Sequence, residues 1–239
     1  MKMRRLLDWR KQGGAASVEF YVVSFFVFIP MVMAVLQLGL FFVAKNTVNL
    51  ATFSAARAGA ASGGDKGEMA NNFAKAVAPL FADTRTDVTN ANYPTVLGTA
   101  YAKARLYMAI PVMNSIDILN PTASSFSDFG VVKPGGGGKI IPTTNIMNDT
   151  KIGSASGQTR AEALLFKIEV RFCYQMPIPI IDKMLSTILL GLSDDIHILP
   201  SLDPKDVACY SGVDGSYGIP IKSQAVIRMT EPPDSGKIF

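Results

Sequence analysis

One carboxylate stands where charged side chains are rare. Glu19 lies directly before a run of 25 uncharged residues, Phe20–Ala44. Such a carboxylate is costly to desolvate, so these residues are usually paired with a cation or used in function. The Glu19 carboxylate could form an ion pair with an amine that lies beside it in the same apolar setting. The alternative is an interfacial glutamate whose carboxylate reaches water, and the spacing alone leaves both open.

Other reactive side chains form no catalytic pattern. His197 is the only histidine, so histidine-based triads and clusters are unsupported. Three aspartates between residues 203 and 214 do not follow the spacing of a calcium loop. The glycine-rich segment 133–139 is followed by Ile140, where a phosphate loop needs Ser or Thr. We therefore predict a protein that is not an enzyme and has no metal and no cofactor.

The apolar run is long enough to span a bilayer, which takes roughly 20 helical residues. Five basic residues and one acidic residue in the first 14 give a net charge of +4, which is the charge of the whole chain. The remainder is neutral, so a nucleic-acid surface is not supported. Because basic flanks stay in the cytoplasm, we predict a single-pass anchor with the C-terminal domain outside. Pro30 should kink or loosen the spanning helix.

The segment around Glu19 carries a recognisable motif. Residues 13 to 20 read Gly-Gly-Ala-Ala-Ser-Val-Glu-Phe. This resembles the processing site of type IVb prepilins and of the TadE-like pseudopilins of tight-adherence (Tad) systems. The basic leader, the proline in the apolar helix and the Ala/Arg-rich segment 55–60 have counterparts in that family. The resemblance is strong over residues 1 to about 62.

The resemblance implies cleavage by a prepilin peptidase between Gly14 and Ala15. Glu19 becomes the fifth residue of the mature chain and Phe20 the sixth. The new amine on Ala15 and the Glu19 carboxylate would then pair between neighbouring subunits. The implied function is that of a minor pilin in assembly or initiation of a Tad pilus. Its partners would be other pilins, the assembly platform and the lipid bilayer of the bacterial inner membrane.

A second hypothesis is an uncleaved single-pass protein whose periplasmic domain binds a ligand or a partner. The state of the Gly14–Ala15 bond distinguishes the two hypotheses. A major pilin of such a system would be much shorter than 239 residues, so the length favours a minor part.

We expect three regions: a leader at 1–14, a transmembrane and extended helix at 15–62, and an α+β domain at 63–239. Small residues recur every four positions along the helix at Ala51, Ala55 and Gly59. They allow close approach of another helix or of the chain's own sheet, and both alternatives stay open. The Gly63-Gly64 pair should end the helix, and a second helix should follow over residues 66–77.

The outer domain should contain a mainly antiparallel sheet. Period-two alternation predicts strands near residues 102–110, 164–172 and 221–229. A helical stripe over 181–192 predicts an amphipathic helix that covers the sheet. The segment 114–159 is rich in Gly, Ser, Thr and Pro, which predicts loops or a short hairpin. We place any specific binding surface in this segment.

The two cysteines can form one bridge in an oxidising compartment. Cys173 has the alternation of the polar strand face, and Cys209 follows two prolines in an expected loop. A bridge would close a loop of about 37 residues and contribute roughly 4 kcal/mol in the chain-entropy model. Two free thiols are the alternative.

Overall fold

The computed structural model describes residues 15–82, 89–144, 146, 149–178, 187, 203–211 and 217–239. The chain begins with helix α1 (Ala15–Val23), continues through a π-helical turn (Ser24–Phe28) and then forms α2 (Ile29–Ser62). Within residues 17–62 of this continuous helical segment, an 18-residue window has a mean hydropathy of 2.4. It is the one helix within the described ranges that is long and apolar enough to cross a membrane.

Local signals end the long helix and start the next one. Gly63 adopts a left-handed φ of 73°, and its amide donates to the Gly59 carbonyl. Asp65 then caps helix α3 (Lys66–Val77), because its side chain accepts hydrogen bonds from the amides of Gly67 and Glu68. The predicted end of the first helix and the predicted second helix are both confirmed.

Three antiparallel strands form the main sheet, in the order β1 (Ser115–Asn120), β4 (Leu165–Gln175) and β5 (Gly218–Arg228). The core face of β4 packs against α2, and its Phe172 contacts Phe73 of α3 at 6.0 Å between ring centroids. Its buried side chains are Phe166, Ile168, Val170 and Phe172. The α+β architecture is therefore confirmed, as are the second and third predicted strands.

Shorter elements surround this core. They are a 3₁₀ turn (Ala78–Phe81), helices α4 (Tyr93–Met108), α5 (Ala123–Phe129) and α6 (Arg160–Ala163), strands β2 (Val131–Val132) and β3 (Lys139–Ile140), and helices α7 (Pro204–Ser211) and α8 (Ser235–Ile238). β2 and β3 pair as a separate antiparallel hairpin.

The prediction of a strand near residues 102–110 was wrong, because residues 102–108 belong to helix α4. Its buried positions are Ala100 and Ala104, which are four residues apart, whereas Leu106 is 73% exposed. The apparent alternation was built from alanine and leucine, which are strong helix formers. Pro94 in the first turn is also favourable at a helix start.

The prediction of loops or a hairpin over 114–159 was wrong in two parts, one of which is helix α5 (Ala123–Phe129), started by the capping box of Thr122 and Ser125. The hairpin exists, but residues 115–120 form the edge strand β1, in register with β4 from Ser115 opposite Arg171 to Ile118 opposite Ile168. Only two apolar residues of this short strand, Ile116 and Ile118, lean on the core. That pattern is too short to separate a strand from a loop.

The predicted amphipathic helix over 181–192 and His197 lie outside the described residues, apart from Thr187.

Candidate functional site

The N-terminal end of the long helix carries the residues predicted to act in processing and assembly. Gly14 lies outside the described residues, and Ala15 is the first residue of α1. Glu19 is exposed on the same helix. Ala15 precedes Glu19 by four residues, which is about one helical turn. None of the ion pairs within the described part of the chain involves Glu19.

The side chains that follow Glu19 are apolar and uncovered. Phe20 is 68% exposed and Phe26 is 78% exposed. Phe20 contacts Tyr21 edge-on at 6.0 Å between ring centroids. A helix with exposed apolar side chains on all sides is typical of one that is surrounded by lipid or by other apolar helices. A carboxylate beside such a segment is costly to desolvate and is usually paired or functional.

The helix changes its winding beside Pro30. The π turn occupies the five residues Ser24–Phe28, and the Ile29 amide donates to the Ser24 carbonyl, five residues back. A proline lacks an amide hydrogen, and its ring crowds the carbonyl four residues earlier. The wider π turn relieves that crowding and lets the helix continue through the apolar segment.

One polar side chain is buried in the apolar helix. Gln37 is 3% exposed, and its amide nitrogen and oxygen have no hydrogen-bond partner. One turn further on, the ring of Phe41 contacts that of Tyr174 at 6.3 Å between centroids. Because Phe41 lies inside the apolar run, the end of β4 reaches down to the level of that run.

The small-residue ridge packs against the chain's own domain. Ala51 and Ala55 are fully buried, and Gly59 is buried as well. A Cβ atom on Gly59 would lie 2.5 Å from Cε1 of Phe166 and 2.7 Å from Sδ of Met69. Of the two alternatives for this ridge, the structure shows packing against α3 and the sheet.

Gly59→Ala should therefore destabilise the protein by about 1–2 kcal/mol, because overpacking costs about 1–3 kcal/mol and alanine recovers up to about 1 kcal/mol of helix propensity. Gly39→Ala is the matched control, since a Cβ there meets nothing within 4 Å. Thermal unfolding of the detergent-solubilised protein measures both. Equal melting temperatures for the two variants would contradict this packing.

A disulfide and several ion pairs attach helix α7 to the polar face of the sheet. Cys173 and Cys209 form a disulfide with a Cα–Cα distance of 5.7 Å. Cys173 has the predicted strand parity but is fully buried, and Cys209 lies on α7 rather than in a loop. Cys173 is buried because α7 covers this end of the polar face.

Ion pairs reinforce the same contact. Arg171 donates to Asp203 at 2.6 Å, and Lys222 donates to Asp206 at 2.7 Å. The hydrogen bond from Arg171 lowers the pKa of the Asp203 carboxyl below its usual value. This cluster was not predicted from the sequence, although Arg171 on the polar face of β4 was an available signal.

The comparisons with known proteins agree with the N-terminal geometry. Residues 14–57 match the family model described as TadE-like protein. The N-terminal helix is therefore similar to that of TadE-like proteins. The TadE-like match begins at the glycine of the predicted cleavage site and ends within the buried ridge of α2. No curated protein and no solved structure matches the chain.

Proposed function

We propose that this protein is a TadE-like minor pilin or pseudopilin, processed by a prepilin peptidase and used in assembling a Tad pilus. The observation that carries the proposal is Glu19, exposed on an apolar helix and outside every ion pair of the described chain. Processing after Gly14 creates an amine on Ala15, four residues before Glu19. That amine on one subunit is the counter-charge for Glu19 on its neighbour.

The ion pair sets the register between subunits rather than adding much net stability. Two charges taken from water into an apolar setting lose hydration free energy that their attraction roughly offsets. A mismatched register leaves a charge unpaired, which costs several kcal/mol. Helices that slide past each other in lipid are thereby held at one relative height.

We further propose that the leader faces the cytoplasm of a bacterial inner membrane and that the domain lies in the periplasm. The basic leader supports this orientation because positive flanks remain inside. The Cys173–Cys209 disulfide supports it independently, because such bonds persist in oxidising compartments. In this proposal the protein acts as a structural subunit, and its partners are the peptidase, other pilins and the assembly platform.

Substitution at the cleavage site tests the processing step. Gly14→Val should abolish leader removal when the protein is co-expressed with its prepilin peptidase, because the branched side chain crowds the scissile bond. Gly13→Val is the matched control and should retain more cleavage. Gel mobility and intact mass report the cleaved fraction, and full cleavage of the Gly14 variant would overturn the proposed site.

A further inference from the structure

The outer domain contains an open cavity of about 370 Å³ between α3, α4, β1 and α7. Three basic residues line it: Lys66 from α3, Arg105 from α4 and Lys205 from α7. Its other lining residues are mainly apolar and include Met108 and Ile116. We call this cavity the basic groove.

The charge of the basic groove is uncompensated. None of the ion pairs in the described part of the chain involves Lys66, Arg105 or Lys205. No carboxylate is among the described residues that line the groove. The carboxylate of Asp203 accepts from the Lys205 amide but is already bound to the Arg171 guanidinium. Like charges that line one cavity repel each other, and a bound anion relieves that repulsion.

Three separate elements converge to form this groove. Lys66 follows the α2–α3 turn, Arg105 lies near the end of α4, and Lys205 is in the first turn of α7. α7 is itself tied to the sheet by the Cys173–Cys209 disulfide. The relative placement of the cationic side chains is therefore set by the folded domain and not by one flexible segment.

From this we infer that the basic groove binds an acidic segment of a partner protein, one that alternates carboxylate and aliphatic side chains. The carboxylates match the cationic rim, and the aliphatic groups match the floor around Met108 and Ile116. Lys66 and Arg105 are exposed at the surface, so an extended chain can lie across the groove without entering an enclosed pocket. The inference is independent of leader processing.

The probe is a fluorescein-labelled peptide with the core Glu-Leu-Glu-Leu-Glu, added to the full chain in nanodiscs of neutral phosphatidylcholine. We expect saturable fluorescence anisotropy. Binding should weaken as salt rises, because the screening length falls from about 10 Å at 0.1 M to about 3 Å at 1 M. A Gln-Leu-Gln-Leu-Gln peptide and a Glu-Ser-Glu-Ser-Glu peptide should both bind at least about tenfold more weakly, which separates the charge from the apolar contribution.

Two charge reversals on one helix provide the matched test. Arg105→Glu should weaken peptide binding about tenfold or more, because it replaces attraction by repulsion at the rim. Lys103→Glu changes the net charge equally on an exposed α4 residue outside the groove and should change binding less than about threefold. Equal losses in both variants, or equal affinity for the glutamine peptide, would overturn the inference. The Arg105→Glu protein should still lose its leader, so failure here is separable from failure of the proposed function.

Discussion

Glu19→Ala should abolish pilus assembly while leaving membrane insertion intact. The variant leaves the Ala15 amine of a neighbouring subunit without its counter-charge in an apolar setting. Breaking a buried ion pair from one side costs about 3–5 kcal/mol, which corresponds to a loss of roughly 150- to 5000-fold in the assembly equilibrium. Pili counted on cells that carry the variant as their only copy measure the loss, and membrane fractionation measures insertion.

Two further variants sharpen this test. Glu19→Gln keeps the size of the side chain and should also fail, because the missing charge is the cause. Glu68→Ala removes an exposed carboxylate from α3 and should assemble normally. Normal pilus numbers for both Glu19 variants would contradict the register role.

Loss of the Cys173–Cys209 disulfide should have the largest effect on stability of the folded domain. The bond joins residues separated by 36 positions, so it contributes about 4 kcal/mol by restricting the unfolded chain. For a chain of this size the loss should lower the melting temperature by roughly 8–16 °C. Thermal unfolding of the Cys173→Ala/Cys209→Ala double variant, compared with the unreduced parent, measures it.

Reduction separates the bond from the packing of its sulfur atoms. Both cysteines are fully buried, so the alanine variant also loses side-chain contacts. Dithiothreitol should lower the melting temperature of the parent and leave that of the double variant unchanged. A parent that melts at the same temperature with and without dithiothreitol would contradict a stabilising bridge.

The sequence predicted those elements whose signals are local. Gly63 supplies the left-handed helix end, and Asp65 supplies the cap of α3. In β4 the alternation uses phenylalanine, isoleucine and valine, which favour strands as well as burial on one face. In α4 the same alternation used alanine and leucine, and the helix formed instead.

Other features depend on contacts between distant segments and could not be read locally. Small residues such as Gly59 allow any helix or sheet to pack closely against the ridge. Only the folded structure shows that Phe166 is the residue beside Gly59. Strand parity indicated the side of the sheet on which Cys173 lies. Its burial depended on α7, more than 30 residues later in the chain. The basic groove depends likewise on three elements that meet only in the folded domain.

The mature N-terminus tests the central claim most directly. Mass spectrometry of the protein isolated from its native membrane should find a chain that begins at Ala15, with Glu19 as its fifth residue. That result would establish prepilin-type processing. A chain that retains residues 1–14 would contradict it and would favour an uncleaved, membrane-anchored binding protein.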